Sequence, residues 1–199
     1  MSSIATHPQR NTIRLQLKQN LILREMPAGA FDELERKLEI ADCRKGDPLV
    51  RQGAKGMEQF FVLEGILKRV VTNPRGKEMI LRFAAEKDME TSYAAWRLKT
   101  SVPYSIVAVT RSRVAKLSMP HWVEFLERHV QAKARFKHEV MRLMSEVMAH
   151  TITLHLLDAP GRLSRFMRKH TYLLERIPKK ELASYLNLTP ETLSRLKKI

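Results

Sequence analysis

The sequence predicts an α+β chain in which an N-terminal roll of short strands, a double-stranded β-helix, is followed by one long helix and a C-terminal helix-turn-helix. Three observations predict it. Residues 39–118 hold short apolar runs separated by glycine-bearing turns, the texture of an all-β roll. After Pro120 the apolar spacing becomes helical, and Phe136, Val140, Leu143, Val147, His150, Leu154 and Leu157 recur at alternating steps of four and three. Residues 179–199, KKELASYLNLTPETLSRLKKI, read as two short amphipathic helices broken near Asn187.

Taken in order, residues 1–20 are basic and polar without firm periodicity and predict an N-terminal arm. Residues 21–120 form the roll. Leu34 and Leu38, four apart, mark a short helix that caps it, and strands are expected at 40–44, 49–51, 60–63, 66–71, 78–83 and 105–117. Asn73-Pro74-Arg75-Gly76 supplies a hairpin turn between the fourth and fifth of these. Residues 121–157 hold a short helix around Trp122, Val123, Phe125 and Leu126, then the long helix from Gln131. A lone helix with a heptad seam needs a partner, so Phe136, Val140, Leu143, Val147, His150 and Leu154 are expected in a parallel homodimer interface, the alternative being a core helix packed only on its own roll. Met144 and Met148 lie beside that seam and can face the roll instead. His150 is a polar departure within the seam, either fixing register or sensing a proton or ligand.

Pro160 and Gly161 end the long helix and Asp158 can cap the next, which makes this the hinge into residues 158–199. In the terminal helix pair Asn187 suits a left-handed backbone at the break. Thr189 can cap the second helix, Pro190 fits its first position, and Glu191 favours the positive end of its dipole. Leucine spacing alone would also fit an ordinary helical hairpin. The exposed face speaks for nucleic acid instead: Glu191, Thr192, Ser194, Arg195 and Lys197, with Lys179 on the first helix, can reach base edges or phosphates.

Charge agrees with that reading. Lys and Arg number 36 against 21 Asp and Glu, a net charge of +15, and from Gly161 onward there are ten basic and three acidic residues. The excess points to a polyanion, and double-stranded DNA leads. No apolar run approaches the ~20 residues of a spanning helix. The first twenty residues lack the apolar core of a secretory signal, so a cytoplasmic protein with no membrane partner is expected. The single cysteine, Cys43, excludes an intrachain disulfide and a cluster held by four thiolates, and is read as a small strand residue. With no nucleophile–base pairing, metal-ligand spacing or phosphate-binding glycine loop, neither an enzyme nor a metal site is expected.

Four motifs in this order carry a family resemblance: Phe61-Val62-Leu63-Glu64-Gly65, Gly76-Lys77-Glu78, Leu157-Asp158-Ala159-Pro160-Gly161-Arg162, and Leu188-Thr189-Pro190-Glu191-Thr192-Leu193-Ser194-Arg195-Leu196. Over about residues 21–199 the chain resembles the Crp/Fnr family of bacterial transcription regulators. The resemblance implies a cyclic-nucleotide-binding-like roll and a homodimer on a two-fold DNA site, with RNA polymerase as a further candidate partner. Glu191, Ser194 and Arg195 look like the Glu-x-x-Ser-Arg reading set of the Fnr branch, whose half-site is close to TTGAT.

Two departures qualify what the resemblance implies. Cyclic-nucleotide-binding members carry a Gly-Glu pair for the ribose and an Arg-Ser/Thr-Ala triplet for the phosphate. Here Glu90 stands where the ribose carboxylate would, without a preceding glycine, and Pro103-Tyr104-Ser105 stands where the triplet is expected. Glu90, Thr91, Ser92 and Tyr104 remain the candidate ligand residues, with Arg97 or Lys99 as substitutes for the missing arginine, and cAMP is not expected to bind in the usual mode. The effector is unassigned. An iron–sulfur cluster is excluded by the lone Cys43, and haem stays open through His7, His121, His129 or His150. The second departure is that the sequence stops before the β-hairpin wing expected after the recognition helix, either as a truncation or as a naturally shortened regulator. An alternative reading is therefore a sensor or interaction module with weakened or lost DNA binding, working through a small ligand or through heterodimerisation.

Overall fold

A computed structural model describes residues 2–196 of the chain. The roll is built from two antiparallel sheets. One contains β1 (Ser2–Ser3), β2 (Glu39–Cys43), β9 (Ser112–Ser118), β4 (Glu58–Glu64) and β7 (Met89–Thr91), in that spatial order. The other contains β3 (Pro48–Val50), β8 (Ser105–Ala108), β5 (Leu67–Thr72) and β6 (Glu78–Ala84). Phe60, Val62, Leu67, Ile106 and Val114 are buried together in one core cluster of the roll, formed from strands of both sheets. Gly65 turns the chain from β4 into β5 at φ +87°, where a Cβ would stand 2.4 Å from the Arg111 carbonyl oxygen, so only glycine fits. The hairpin at Asn73 forms as expected: its Oδ1 accepts from the N–H of Arg75 and of Lys77, each at 3.0 Å.

The structure redraws three parts of the expected layout. Residues 105–117 are not one strand: β8 pairs with β5 and β9 with β2 and β4, so the chain changes sheets at the polar corner Thr110-Arg111. A strand, β7, and a short helix, α3 (Tyr93–Leu98), occupy the stretch read only as a ligand region. The N-terminal residues are no loose arm. They fold into α1 (Arg10–Leu17), which sits with α2 (Ala28–Lys37) in a core shared with Phe61, Trp122, Phe125 and Phe136. Ile13 and Leu17 are the buried stripe of α1, hidden in the sequence by its polar composition. On an adjacent face Arg10 and Arg14 hold Glu35, a carboxylate only 2 % exposed.

After α4 (Met119–Arg128) comes the long helix α5 (Val130–Leu156), of 27 residues. Its heptad seam is turned inward, which corrects the expected interface. Phe136, Leu143 and His150 are buried within the chain itself, and Val140, Val147 and Leu154 are half-buried beside them. Phe136 packs edge-on against Trp122 and Tyr93. At ~100° per residue the opposite face carries Met141, Met144, Met148, Ile152 and Leu156. Those five apolar side chains are exposed, Met144 by 60 % and Met148 by 63 %. The helix therefore has two apolar faces, and the sequence periodicity picked out the one covered by its own chain.

Asp158 caps α6 (Ala159–Lys169) by accepting from the Gly161 N–H at 2.9 Å, as the hinge motif predicts. The helix-turn-helix, α7 (Lys179–Tyr185) and α8 (Pro190–Leu196), then folds back onto the β5–β6 hairpin. Val70, Ile80 and Phe83 of the hairpin share a core with Leu163, Phe166, Leu173 and Tyr185. Lys68 pairs with Glu181 at 2.8 Å and Arg176 with Glu86 at 2.6 Å across the same junction. His150 stacks flat on Tyr185, ring centroids 3.8 Å apart, and so ties α5 to α7.

Burial pushes the His150 and His170 imidazoles down to about 4, against an ordinary value near 6.5. Both stay neutral in the fold where an unfolded chain would already protonate them. Between pH 6.5 and 4 the unfolded state binds more protons, so their contribution is complete above 6.5 and is lost as pH falls toward 4. Urea unfolding of the wild type and of His150→Phe, compared at pH 7 and at pH 4.5, is expected to show the wild type losing about 2 kcal/mol more than the variant. Parallel losses would show that His150 is not desolvated in this way.

Candidate functional site

The terminal helix pair is built from residues that specify its geometry. Asn187 has φ +52°, the Leu188 N–H donates to the Ala183 carbonyl at 2.9 Å, and the Asn187 N–H donates to Ser184 at 3.1 Å. These two bonds are a Schellman closure of α7, and they set the turn between the helices. Leu182, Ala183, Leu186 and Leu193 are buried between them. Thr189 caps α8, its hydroxyl accepting from the Thr192 N–H at 3.2 Å.

That packing presents Glu191 and Arg195 to solvent one helical turn apart, with Thr192 and Ser194 partly exposed beside them. Ser194 donates its hydroxyl to the Pro190 carbonyl at 2.7 Å, leaving its lone pairs free as acceptors. The Glu191 carboxyl is held below the usual carboxylate range by its own backbone N–H and by the Thr189 hydroxyl, so it is a ready acceptor. Lys179 is exposed at the start of α7, and Thr189 and Pro190 line the entry to α8. Lys197, the remaining expected contact, lies outside the described residues.

The roll brings Glu90, Thr91, Ser92 and Tyr104 together, but not as an open binding site. Arg69 and Arg82 stand directly opposite each other on β5 and β6. Glu90, fully buried on β7 of the other sheet, is bound by both: Arg69 Nε donates to it at 3.0 Å, and Arg82 holds its second oxygen. Burial pushes the Glu90 carboxyl up, and the two guanidinium groups overcome this and hold it below the usual range. Tyr104 lies over the Arg69 guanidinium, 4.2 Å from ring centroid to Cζ, and its hydroxyl donates to the Thr91 carbonyl at 2.7 Å. Glu90 is thus occupied by side chains of the protein. This corrects its assignment as a ribose ligand. Arg97 and Lys99, the substitutes considered for a phosphate arginine, are exposed on and after α3.

Sequence reasoning missed Arg69 and Arg82. Their signal was a single arginine inside each of two apolar runs, Leu67-Lys68-Arg69-Val70-Val71 and Met79-Ile80-Leu81-Arg82-Phe83, where a strand interior seldom keeps an unpaired charge. Of the four histidines considered for haem, His129 Nε2 lies 2.9 Å from Glu33, His150 stacks on Tyr185 and His7 accepts from the Gln9 N–H, while His121 is exposed. Among the described residues no three His, Cys, Asp or Glu side chains gather as a metal site, and no helix is long and apolar enough to cross a membrane. Cys43 is buried, and burial pushes its thiol up, away from the reactive thiolate.

Residues 41–129 match the cyclic nucleotide-binding domain family. The chain has the fold of the Crp/Fnr regulators. Its neighbours of known structure include FixK2 from Bradyrhizobium japonicum, at TM-score 0.71 and 16 % identity over 81 % of this chain and 83 % of that one. They also include the c-di-GMP responsive regulator CLP from Xanthomonas campestris, at TM-score 0.70 and 13 % identity over 86 % of this chain and 90 % of that one. A regulator of the Crp/Fnr family from Eubacterium rectale gives TM-score 0.71 and 13 % identity, covering 90 % of this chain and 86 % of that one. No curated protein matches the chain in sequence. The Crp/Fnr resemblance carried by the four motifs agrees with both the domain match and these folds, whose namesakes are regulators rather than enzymes.

Removing one member of a buried ion cluster leaves charge without compensation, at a cost of about 3–5 kcal/mol. Glu90→Gln is therefore expected to lower unfolding free energy by about that amount in urea. A loss below ~1 kcal/mol would show the carboxylate to be free for a ligand rather than part of the fold.

Proposed function

We propose that the chain is a homodimeric, sequence-specific DNA-binding transcription regulator whose α8 reads a two-fold site with TTGAT-like half-sites, without control by cAMP. The observation that carries this is the exposed Glu191–Arg195 pair on a capped helix, held out by a Schellman turn from a Crp/Fnr-type body. Arg195 presents a fork that matches guanine O6 and N7, and Glu191 can accept from a cytosine or adenine amino group. Lys179 and the basic excess after Gly161 supply sequence-independent attraction to phosphate. Independence from cAMP follows from Glu90, whose oxygens are already taken by Arg69 and Arg82.

The dimer rests on the outer face of α5. Met141, Met144, Met148 and Ile152 form an apolar stripe along consecutive turns, left exposed by the described residues of the single chain. A second copy brought against this stripe in parallel would bury both stripes and set two α8 helices to read half-sites ~34 Å apart. RNA polymerase is a natural partner for such a regulator.

In gel shifts on a TTGAT palindrome, Arg195→Ala is expected to cost about 1–3 kcal/mol and to flatten the preference at the guanine, with cAMP leaving both proteins' affinities unchanged. Binding as tight and as selective as the wild type, or a cAMP-dependent gain, would overturn the assignment. The double substitution Met144→Lys, Met148→Lys should convert the dimer to monomer in analytical ultracentrifugation while leaving the far-ultraviolet circular dichroism intact, because both side chains are exposed. A dimer that survives it places the interface elsewhere.

A further inference from the structure

Where β6, α5, α6 and α7 meet there is a cleft, apart from the DNA-reading face, that shares only Arg82 with the Glu90 cluster. Two of the side chains lining it, His150 and Arg82, are only 8 % and 5 % exposed. His150 Nε2 and Arg82 Nε have no hydrogen-bond partner among the described residues. A buried polar nitrogen left unpaired costs about 1–3 kcal/mol, and two lining one cleft mark a place where something polar belongs.

The rim is cationic. Arg165 and Lys169 project from α6, exposed, and Arg165 makes no ion pair among the described residues. Arg162 also lines the cleft but is engaged, donating to the Leu157 and Leu186 carbonyls at 3.0 and 2.8 Å. Among the described residues the one lining carboxylate, Glu146, is paired to Arg142 at 2.7 Å and lies 3.8 Å from Lys169. His170, neutral in the fold, completes the polar lining. The cavity holds about 40 Å³. That is room for a few waters or one tetrahedral ion, and far short of the ~300 Å³ at which drug-sized ligand pockets begin.

We propose that this cleft binds a small tetrahedral oxyanion, a sulfate- or phosphate-like group, on Arg82 and His150 at the floor and on Arg165 and Lys169 at the rim. Guanidinium and ammonium donors make short charge-assisted bonds to such an anion, and their strength rises where water is excluded. The donors come from three parts of the chain: Arg82 from the roll, His150 from the long helix, and Arg165 and Lys169 from the helix that leads into the DNA-reading pair. Occupancy therefore favours the arrangement in which these parts are together, by as much as the anion's affinity differs between that arrangement and any other. The site is independent of how α8 reads DNA.

The test is thermal unfolding of the full chain against sodium sulfate at constant ionic strength, balanced with chloride. The expected result is a saturable rise in Tm in the wild type, a half-saturation concentration at least tenfold higher in the Arg165→Ala, Lys169→Ala double variant, and a severalfold lower one in Glu146→Gln. Arg195→Ala should leave the curve unchanged, because it alters only the DNA-reading face. General salting effects of sulfate do not saturate and would be equal in all four proteins. A rise that does not saturate, that is the same in the double variant and in Glu146→Gln as in the wild type, or that disappears in Arg195→Ala overturns the proposal. Repeating the titration with inorganic phosphate and with glycerol 3-phosphate identifies the source. Tighter binding of the ester assigns the anion to the headgroup of a larger molecule, and tighter binding of the free ion assigns it to phosphate itself, each supporting the site.

Discussion

Two arginines face each other across the β5–β6 pair, and the rest of the molecule is arranged to satisfy them. Like charges directly opposite on neighbouring strands repel, and inside a roll they cannot be screened by water. Glu90 resolves this from the other sheet, and its placement requires β7 to run along β4 with Glu90 pointing inward. From there the charges continue outward in a chain. Arg82 lies 3.6 Å from Asp88, Asp88 lies 3.7 Å from Arg142 on α5, Arg142 pairs with Glu146, and Lys169 of α6 approaches Glu146 at 3.8 Å. A cluster that neutralises the centre of the roll is thus connected through the long helix to the helix that leads into the helix-turn-helix.

The second organising constraint is the two-sidedness of α5. One face carries Phe136, Leu143 and His150 into the body of the chain, and the other leaves a methionine-rich stripe in solvent. Methionine suits such a surface because its unbranched, polarisable side chain adapts to an irregular partner. Between the two faces run the charged positions, Glu139, Arg142 and Glu146, which belong to the ion chain. One helix therefore serves as core element and electrostatic link while leaving an apolar face in solvent. His150 sits where these roles meet, stacked on Tyr185 of the helix-turn-helix and neutral because it is desolvated.

Local signals determined the parts of this protein whose geometry is set within a few residues. The Asn73 turn, the Asp158 cap, the left-handed Asn187, the Thr189 cap and the exposed Glu191 and Arg195 were all legible, because capping and turn chemistry depend on bonds between neighbours. The class of fold was legible for a related reason: apolar period distinguishes roll from helix without knowledge of what packs on what. Only the tertiary structure decided which apolar face of α5 is covered, since a period of seven is the same whether the seam meets its own roll or a second chain. It also decided that residues 105–117 turn a corner between sheets, that the basic N-terminal stretch is a docked helix, and that Glu90 belongs to Arg69 and Arg82. Each of these depends on partners far away in sequence, and periodicity and composition carry no record of the distance between Glu90 and an arginine on another strand.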